Sequence, residues 1–597
     1  MSVPLIRRAL YVLAPTVAAL TAACSRPDAQ ARTTTKDPAA AVTALADEYF
    51  AGLIERMPEI ATFWGLTDAR HDGISDASPE ALARWETRQD AWLARAAALD
   101  QAALDGTPQA VTYAILRESL ESAKRTRVCR PQLWGVSQLF GWQVGYPRLG
   151  SLQPLGDSAG RAQALDRWRG IPGFVDQSVA NLREGVRLGY TAPRGNVEAV
   201  LEQVDALLAA EPEASPFALM IRRDSTPAFR EALTAIVRDE INPALRRYRA
   251  YLADEYRTKA RTDPAVAALP NGGECYRAAI RNFTTLDLAP KAVHELGLRE
   301  MVRIESEMRA IGERSFGTSD VKPLLERLRT DPKYTFRSRE EIIRVAEEAT
   351  ARAKAAAPKV FNRMPKADMI VDPCQPFEEK SGCPASYSQA SEDGTRPGRY
   401  RINAGSPRTT PRASAEATAF HEGIPGHHFQ VALAAERPGA HPLTRYLFNS
   451  GFGEGWALYA EQVANELGLY SSDLDQLGRL SSDALRASRL VVDAGIHALG
   501  WSRQQAIDYM VAHTAESKAF IESEVDRYII LPGQATAYMV GRLEIERLRK
   551  EAEKRMGDRF DIRAFHDRVL EDGSVPLSLL RRKIERWAAE GTTAPTS

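Results

Sequence analysis

Along LREMVRIESEMRAIG the apolar residues Leu298, Met301, Ile304, Met308 and Ile311 recur at steps of three and four, which predicts a helix with one buried stripe. GNVEAVLEQVDALLAAEP has the same period. From about Val42 to Leu120, alanine-rich helical stretches alternate with short breaks. DGISDASPEALARW starts one of these helices, with Ser78 as cap and Pro79 at the first position. Helices continue to about Ala356 and dominate again from Pro411 to the end. Two stretches lack this period. Arg130 to Pro154 carries Trp134, Phe140, Trp142 and Tyr146 among glycines and prolines, which predicts an ordered loop with aromatic side chains filling a core. YSQASEDGTRPGRYRINAG has the turn signals and alternation of a small sheet or an ordered crossing segment. The expected fold is therefore mainly α, with a small β element beside the helix bearing the histidine cluster described below.

Residues 1–24 change the picture by placing the chain outside the cytoplasm. Arg7 and Arg8 precede an apolar run from Ala9 to Ala23, as in an export signal, and the run is too short to predict a membrane span. LTAAC resembles a bacterial lipobox, with Thr21 where leucine is usual, so Cys24 is a lipidation candidate and attachment to a membrane is implied. Residues 25–42 read as a flexible tether, 43–290 as an N-terminal helical lobe and 291–597 as a C-terminal catalytic lobe. In an oxidising compartment Cys374 and Cys383 can close a short loop, which leaves Cys129 and Cys275 as the second pair. With 78 basic and 78 acidic residues the net charge is zero, and nothing points to nucleic acid as a partner.

Three of the nine histidines fall in HEGIPGHHFQ, residues 421–430. The usual HExxH spacing brings two imidazoles to one helix face, with the glutamate aimed at a metal-activated water. Here Pro425 stands where the second histidine would be. On a straight helix His428 shares a face with His421 but lies about 10 Å along the axis, too far for one ion. Pro425 and Gly426 predict a distortion that brings His427 back toward His421. His421 and His427 are thus the first choice of ligands, and His428 is the alternative, or a substrate contact. Glu454 in GFGEGWALYAEQ is the expected third ligand, with Glu461 as a supporting or alternative carboxylate. Two histidines, one glutamate and an open position match a catalytic Zn2+ site, with Glu422 as general base.

FHEGIPGHHFQ, GFGEGWALYAEQ, RYIILPGQATAYMVG and FHDRVLEDGSVPLSLL, together with LPNGGECYRAAIRNFTTLDL and DGTRPGRYRIN, resemble the bacterial DUF885 family, placed near gluzincin-type zinc peptidases. The resemblance covers most of the chain after the signal. It implies a large helical zinc-peptidase-like fold with a deep channel, zinc on His421, His427 and Glu454, and Glu422 as the catalytic glutamate. Cys275 departs from it, because an aromatic residue is commoner there. Similar peptidases place a late tyrosine over the metal, which makes Tyr538 the candidate oxyanion donor. Arg527 and Arg542 are candidates to clamp a substrate carboxylate, and His513, one turn from Glu516, is a candidate catalytic imidazole. An edge strand at DGTRPGRYRIN is expected to hold a peptide, with Arg396, Arg399, Asn403 and Tyr387 nearby. His71, His294, His441, His497 and His566 read as structural. The expected function is hydrolysis of short peptides by an exported, periplasmic zinc metallopeptidase of carboxypeptidase or oligopeptidase type. The alternatives are a non-catalytic peptide-binding lipoprotein and a zinc amidase acting on non-peptide amides.

Overall fold

Asp37 accepts hydrogen bonds from the backbone of Ala39 and Ala40 and Pro38 fills the first helical position, so a helix runs from Pro38 to Arg56. The end of the expected tether is therefore helical. The computed structural model describes residues 37–374, 379, 383–390 and 396–590. The export signal, Cys24 and residues 25–36 lie outside them. Ser78 caps the helix Pro79–Ala97 through the Ala81 amide, with Pro79 in its first turn.

The fold is mainly helical with one three-stranded sheet. In the helix Pro290–Ile311, Met301, Ile304, Met308 and Ile311 are buried, but Leu298 is 40% exposed. The seam instead runs through Val293 and Gly297, where the backbone approaches Ala487 so closely that no side chain fits. Leu298 lies one position round from that seam, which turns it outward. The stretch 130–154 is not all loop either. Trp142–Leu152 is helical, with Pro147 inside it, and burial of Gln143, Tyr146, Pro147 and Leu149 outweighs the hydrogen bond that Pro147 cannot make.

Strands β1 (Met369–Pro373), β2 (Ser386–Ser388) and β3 (Gly398–Ile402) are ordered β1-β3-β2, with β1 parallel and β2 antiparallel to β3. The expected edge strand is thus the central one. Its backbone is paired on both sides, and the accessible edge beside the metal helix is β2.

One hydrophobic core joins the first helices to residues 336–588, a second lies within residues 136–260, and a third draws on both halves of the chain. Packing therefore does not divide at residue 290. The helix Asp473–Leu499 passes through the middle, buried on nearly every face. Helices Ser450–Glu466 and Ala537–Met556 cross at Gly451, Gly455 and Gly541, where a Cβ on Gly541 would stand 1.8 Å from the Gly451 carbonyl. That contact sets Glu454 and Tyr538 on facing turns. Disulfides join Cys129 to Cys275 and Cys374 to Cys383. Among the described residues no helix is long and apolar enough to cross a membrane.

Candidate metal centre

The helix Ala415–Glu422 stops at Glu422, and after four intervening residues a new helix, His427–Ala435, starts. Pro425 has no amide hydrogen to continue the ladder. Gly426 is required by space, since a Cβ there would lie 1.9 Å from the His421 carbonyl oxygen. The Trp456 indole donates to the Pro425 carbonyl at 2.9 Å and holds the turn against the neighbouring helix. This interruption brings the rings of His421 and His427 to 4.9 Å, centroid to centroid.

Glu454 enters from the helix Ser450–Glu466, which is capped by Asn449. Its Oε2 is 3.6 Å from His421 Nε2 and 3.4 Å from His427 Nε2, and ligand atoms of the three residues lie within 4.8 Å of one another. Tetrahedral zinc with bonds near 2.0–2.1 Å separates its ligand atoms by about 3.3 Å, and the two distances to Glu454 are close to that value. A second observation agrees. His421 Nδ1 donates to Glu461 Oε1 at 2.9 Å, so that in the neutral imidazole the lone pair is on Nε2, facing Glu454, and Ser482 holds the other Glu461 oxygen at 2.9 Å. Burial opposes a charge on His421, but Glu454 and Glu461 outweigh it and raise its pKa to about 9. Burial likewise works against the Glu454 carboxylate, yet the two histidines hold its pKa well below the ordinary range. This trio can therefore hold a cation. Glu461→Ala is expected to weaken metal binding about 10- to 100-fold, because His421 loses the partner that orients it; competition with a chromophoric chelator measures this, and an unchanged affinity would show Glu461 to be idle.

His421, Glu422, His427, Glu454 and Tyr538 line one cavity of about 1060 Å³. Tyr538 is partly buried, with its ring 4.3 Å from the Arg489 guanidinium, and burial followed by the Glu454 charge raises its pKa. Asn403 and Tyr387 are also on the wall. The Tyr387 hydroxyl meets His428 Nδ1 at 3.1 Å, and His428 is buried behind it, away from the lining; burial lowers its pKa to about 4.

Other candidates fall elsewhere. Arg542 is buried away from the cavity, bound to Asp483 and Glu546, because the face of its helix that carries it turns toward the helix Asp473–Leu499. His513 bonds to Glu305 at 2.6 Å and is off the lining, whereas Glu516 is on it, so the two do not form the expected pair. Arg399 bonds to Asp372 across the sheet, and neither it nor Arg396 lines the cavity. Arg527 does line it, bound to Glu524 and Gln534. His71, His294, His441, His497 and His566 each bond to protein groups away from the trio.

Sequence reasoning missed Arg486, Arg489, Phe448, Phe520 and Glu524, all on the cavity wall. The signal available was Ser482, Arg486 and Arg489, spaced by four and three along one face of a helix.

The solved structure of a candidate lipoprotein from Colwellia psychrerythraea superimposes with a TM-score of 0.85 at 26% identity, covering 93% of this chain and 100% of that one. A candidate lipoprotein of unknown function from Shewanella oneidensis gives a TM-score of 0.74 at 18% identity, covering 91% and 99%, and shows the fold alone. No curated protein matches. Residues 58–584 match the model of a family described as bacterial protein of unknown function, and on that match the chain belongs to the DUF885 family.

Proposed function

We propose that the protein is an exported zinc metallopeptidase that hydrolyses short peptides. The observation that carries this reading is a set of three donors, two imidazoles and a carboxylate, opening onto a large cavity beside the carboxylate Glu422. A closed structural site would use a fourth protein ligand, and no base would be needed next to it. His421, His427 and Glu454 would hold the ion, which when bound supplies Lewis acidity toward water and the substrate carbonyl. Glu422 is positioned by its place next to His421 to take the proton of the attacking water and return it to the leaving nitrogen. Tyr538, across the cavity, offers a hydroxyl to the oxyanion as it forms. Edge strand β2, with Tyr387 on the wall, gives an extended peptide a backbone to pair with. The cavity admits thin chains through a helical shell, which favours short peptides over folded proteins.

The lipoprotein descriptions of both solved relatives support attachment through Cys24 in the periplasm. They suit a non-catalytic peptide-binding lipoprotein more directly than a peptidase, and the cavity would also serve a zinc amidase. Metal analysis of the mature protein, with mass spectrometry of a mixed peptide library after incubation, separates the three. The expected result is about one zinc per chain and cleavage of short peptides. Metal without cleavage would favour binding or a non-peptide amide.

A further inference from the structure

Buried guanidinium groups normally have their donors filled, because an unpaired one carries a large desolvation cost. Two arginines on the cavity wall do not. Arg486 and Arg489 lie three residues apart on the helix Asp473–Leu499, hence on one face, with side chains only 15% and 7% exposed. Arg486 gives Nη1 to Ser482, its Nε is buried without a partner, and Glu461, on the far side of His421, is 4.0 Å from Nη2. Arg489 gives Nε to the Tyr528 hydroxyl at 3.0 Å and Nη2 to Glu524 at 2.7 Å, while its Nη1 is buried without a partner. Arg527, the third arginine on the wall, uses Nε and Nη2 on Glu524 and Nη1 on Gln534. It braces Glu524 and adds charge but has no idle nitrogen.

Charge points the same way. Arg486, Arg489 and Arg527 share this end of the cavity with two acids, Glu516 and Glu524. Glu516 makes no hydrogen bond or ion pair among the described residues, and burial raises its pKa. One further anion would balance the end. It would also share the cavity with the metal centre: the Tyr538 ring lies against Arg489, and Tyr538 and Glu454 line the same cavity.

Resting on the peptidase reading, we propose that Arg486 and Arg489 bind the free C-terminal carboxylate of the substrate, so that the enzyme removes one or two residues from that end. Both arginines line the cavity, where their charge draws the carboxylate, and the Tyr538 ring against Arg489 limits how much chain fits beyond the scissile bond.

The test uses the zinc-loaded mature protein and the peptide Ala-Ala-Ala-Phe-Phe as free acid, as C-terminal amide and as N-acetylated acid; phenylalanine is chosen because Phe448 and Phe520 line the cavity. Amidation is expected to lower kcat/KM about 100-fold, mainly through KM, since charge-assisted bidentate contacts are lost. N-acetylation is expected to change it less than about twofold. Arg486→Gln and the charge-conserving Arg489→Lys are each expected to narrow the acid-to-amide ratio to below about tenfold. Equal cleavage of acid and amide by the parent protein, or loss of cleavage on N-acetylation, would overturn the proposal without any variant. If no peptide is cut, the peptidase reading fails separately, and calorimetric binding of the same acid and amide to the metal-loaded Glu422→Gln protein decides the carboxylate site. Acid bound at least about tenfold tighter upholds the site, and equal binding overturns it.

Discussion

Glu422→Gln is expected to keep the metal and lose about two to four orders of magnitude in peptide hydrolysis. Glutamine has the shape and polarity of glutamate but cannot accept a proton at neutral pH. Glu422 is the last residue of its helix and lines the cavity, yet the metal-ligand trio consists of His421, His427 and Glu454. Its replacement therefore separates proton transfer from ion binding. Zinc stoichiometry by elemental analysis and turnover on a cleaved peptide from the library are the two readouts. Retained zinc with turnover equal to the parent would remove Glu422 as base and with it the proposed mechanism. Loss of zinc would instead mean that Glu422 supports the ligand set.

The largest effect on stability is expected at Asp483. This carboxylate is fully buried between Arg479, at 3.2 Å, and Arg542, which bonds to its other oxygen. Both arginines are themselves about 3% exposed. Burial alone would lower the Arg542 pKa, but Asp483 and Glu546 outweigh it and push it upward. Asp483→Asn removes the central anion and leaves two buried cations facing a neutral amide, an arrangement that costs about 3–5 kcal/mol. The comparison is Glu255→Gln, which breaks the pair Arg183–Glu255, where both side chains are 56% exposed. There water and salt screen the charges, and a loss under about 1 kcal/mol is expected. Urea unfolding of the two variants beside the parent measures the contrast. Equal midpoints for both would show that the buried triad is not what holds these helices together. Ser482, next in sequence, reaches Glu461 behind His421, so Asp483→Asn is also expected to disturb the metal centre.

The two arginines of the RYIILPGQATAYMVGR stretch show where sequence reading runs out. Arg527 and Arg542 look alike in sequence, both flanking the element with Tyr538. In the fold one reaches the cavity with its donors already used and the other is buried in an ion network. Arg486 and Arg489, in a helix that reads as core, have the spare donors. Nothing local distinguishes these cases, since helical spacing tells which residues share a face and not what that face meets. β3 makes the same point. Its alternation was legible, but its place at the centre of the sheet depends on β1, a parallel partner from a separate stretch of chain.

The sequence by itself determined the helical class, the cap at Ser78, the break at Pro425-Gly426 and the short list of candidate histidines and glutamates for a metal. These depend on neighbouring residues: periodicity, a missing amide hydrogen, a glycine where a carbonyl comes too close. Only the tertiary structure decided that Glu454 meets both histidines, that Glu461 and Ser482 stand behind His421, and that Arg486 and Arg489 line the same cavity. Those facts follow from how helices cross at Gly455 and Gly541 and around Asp473–Leu499. A crossing is a balance of packing summed over many side chains, and no short stretch of sequence contains it.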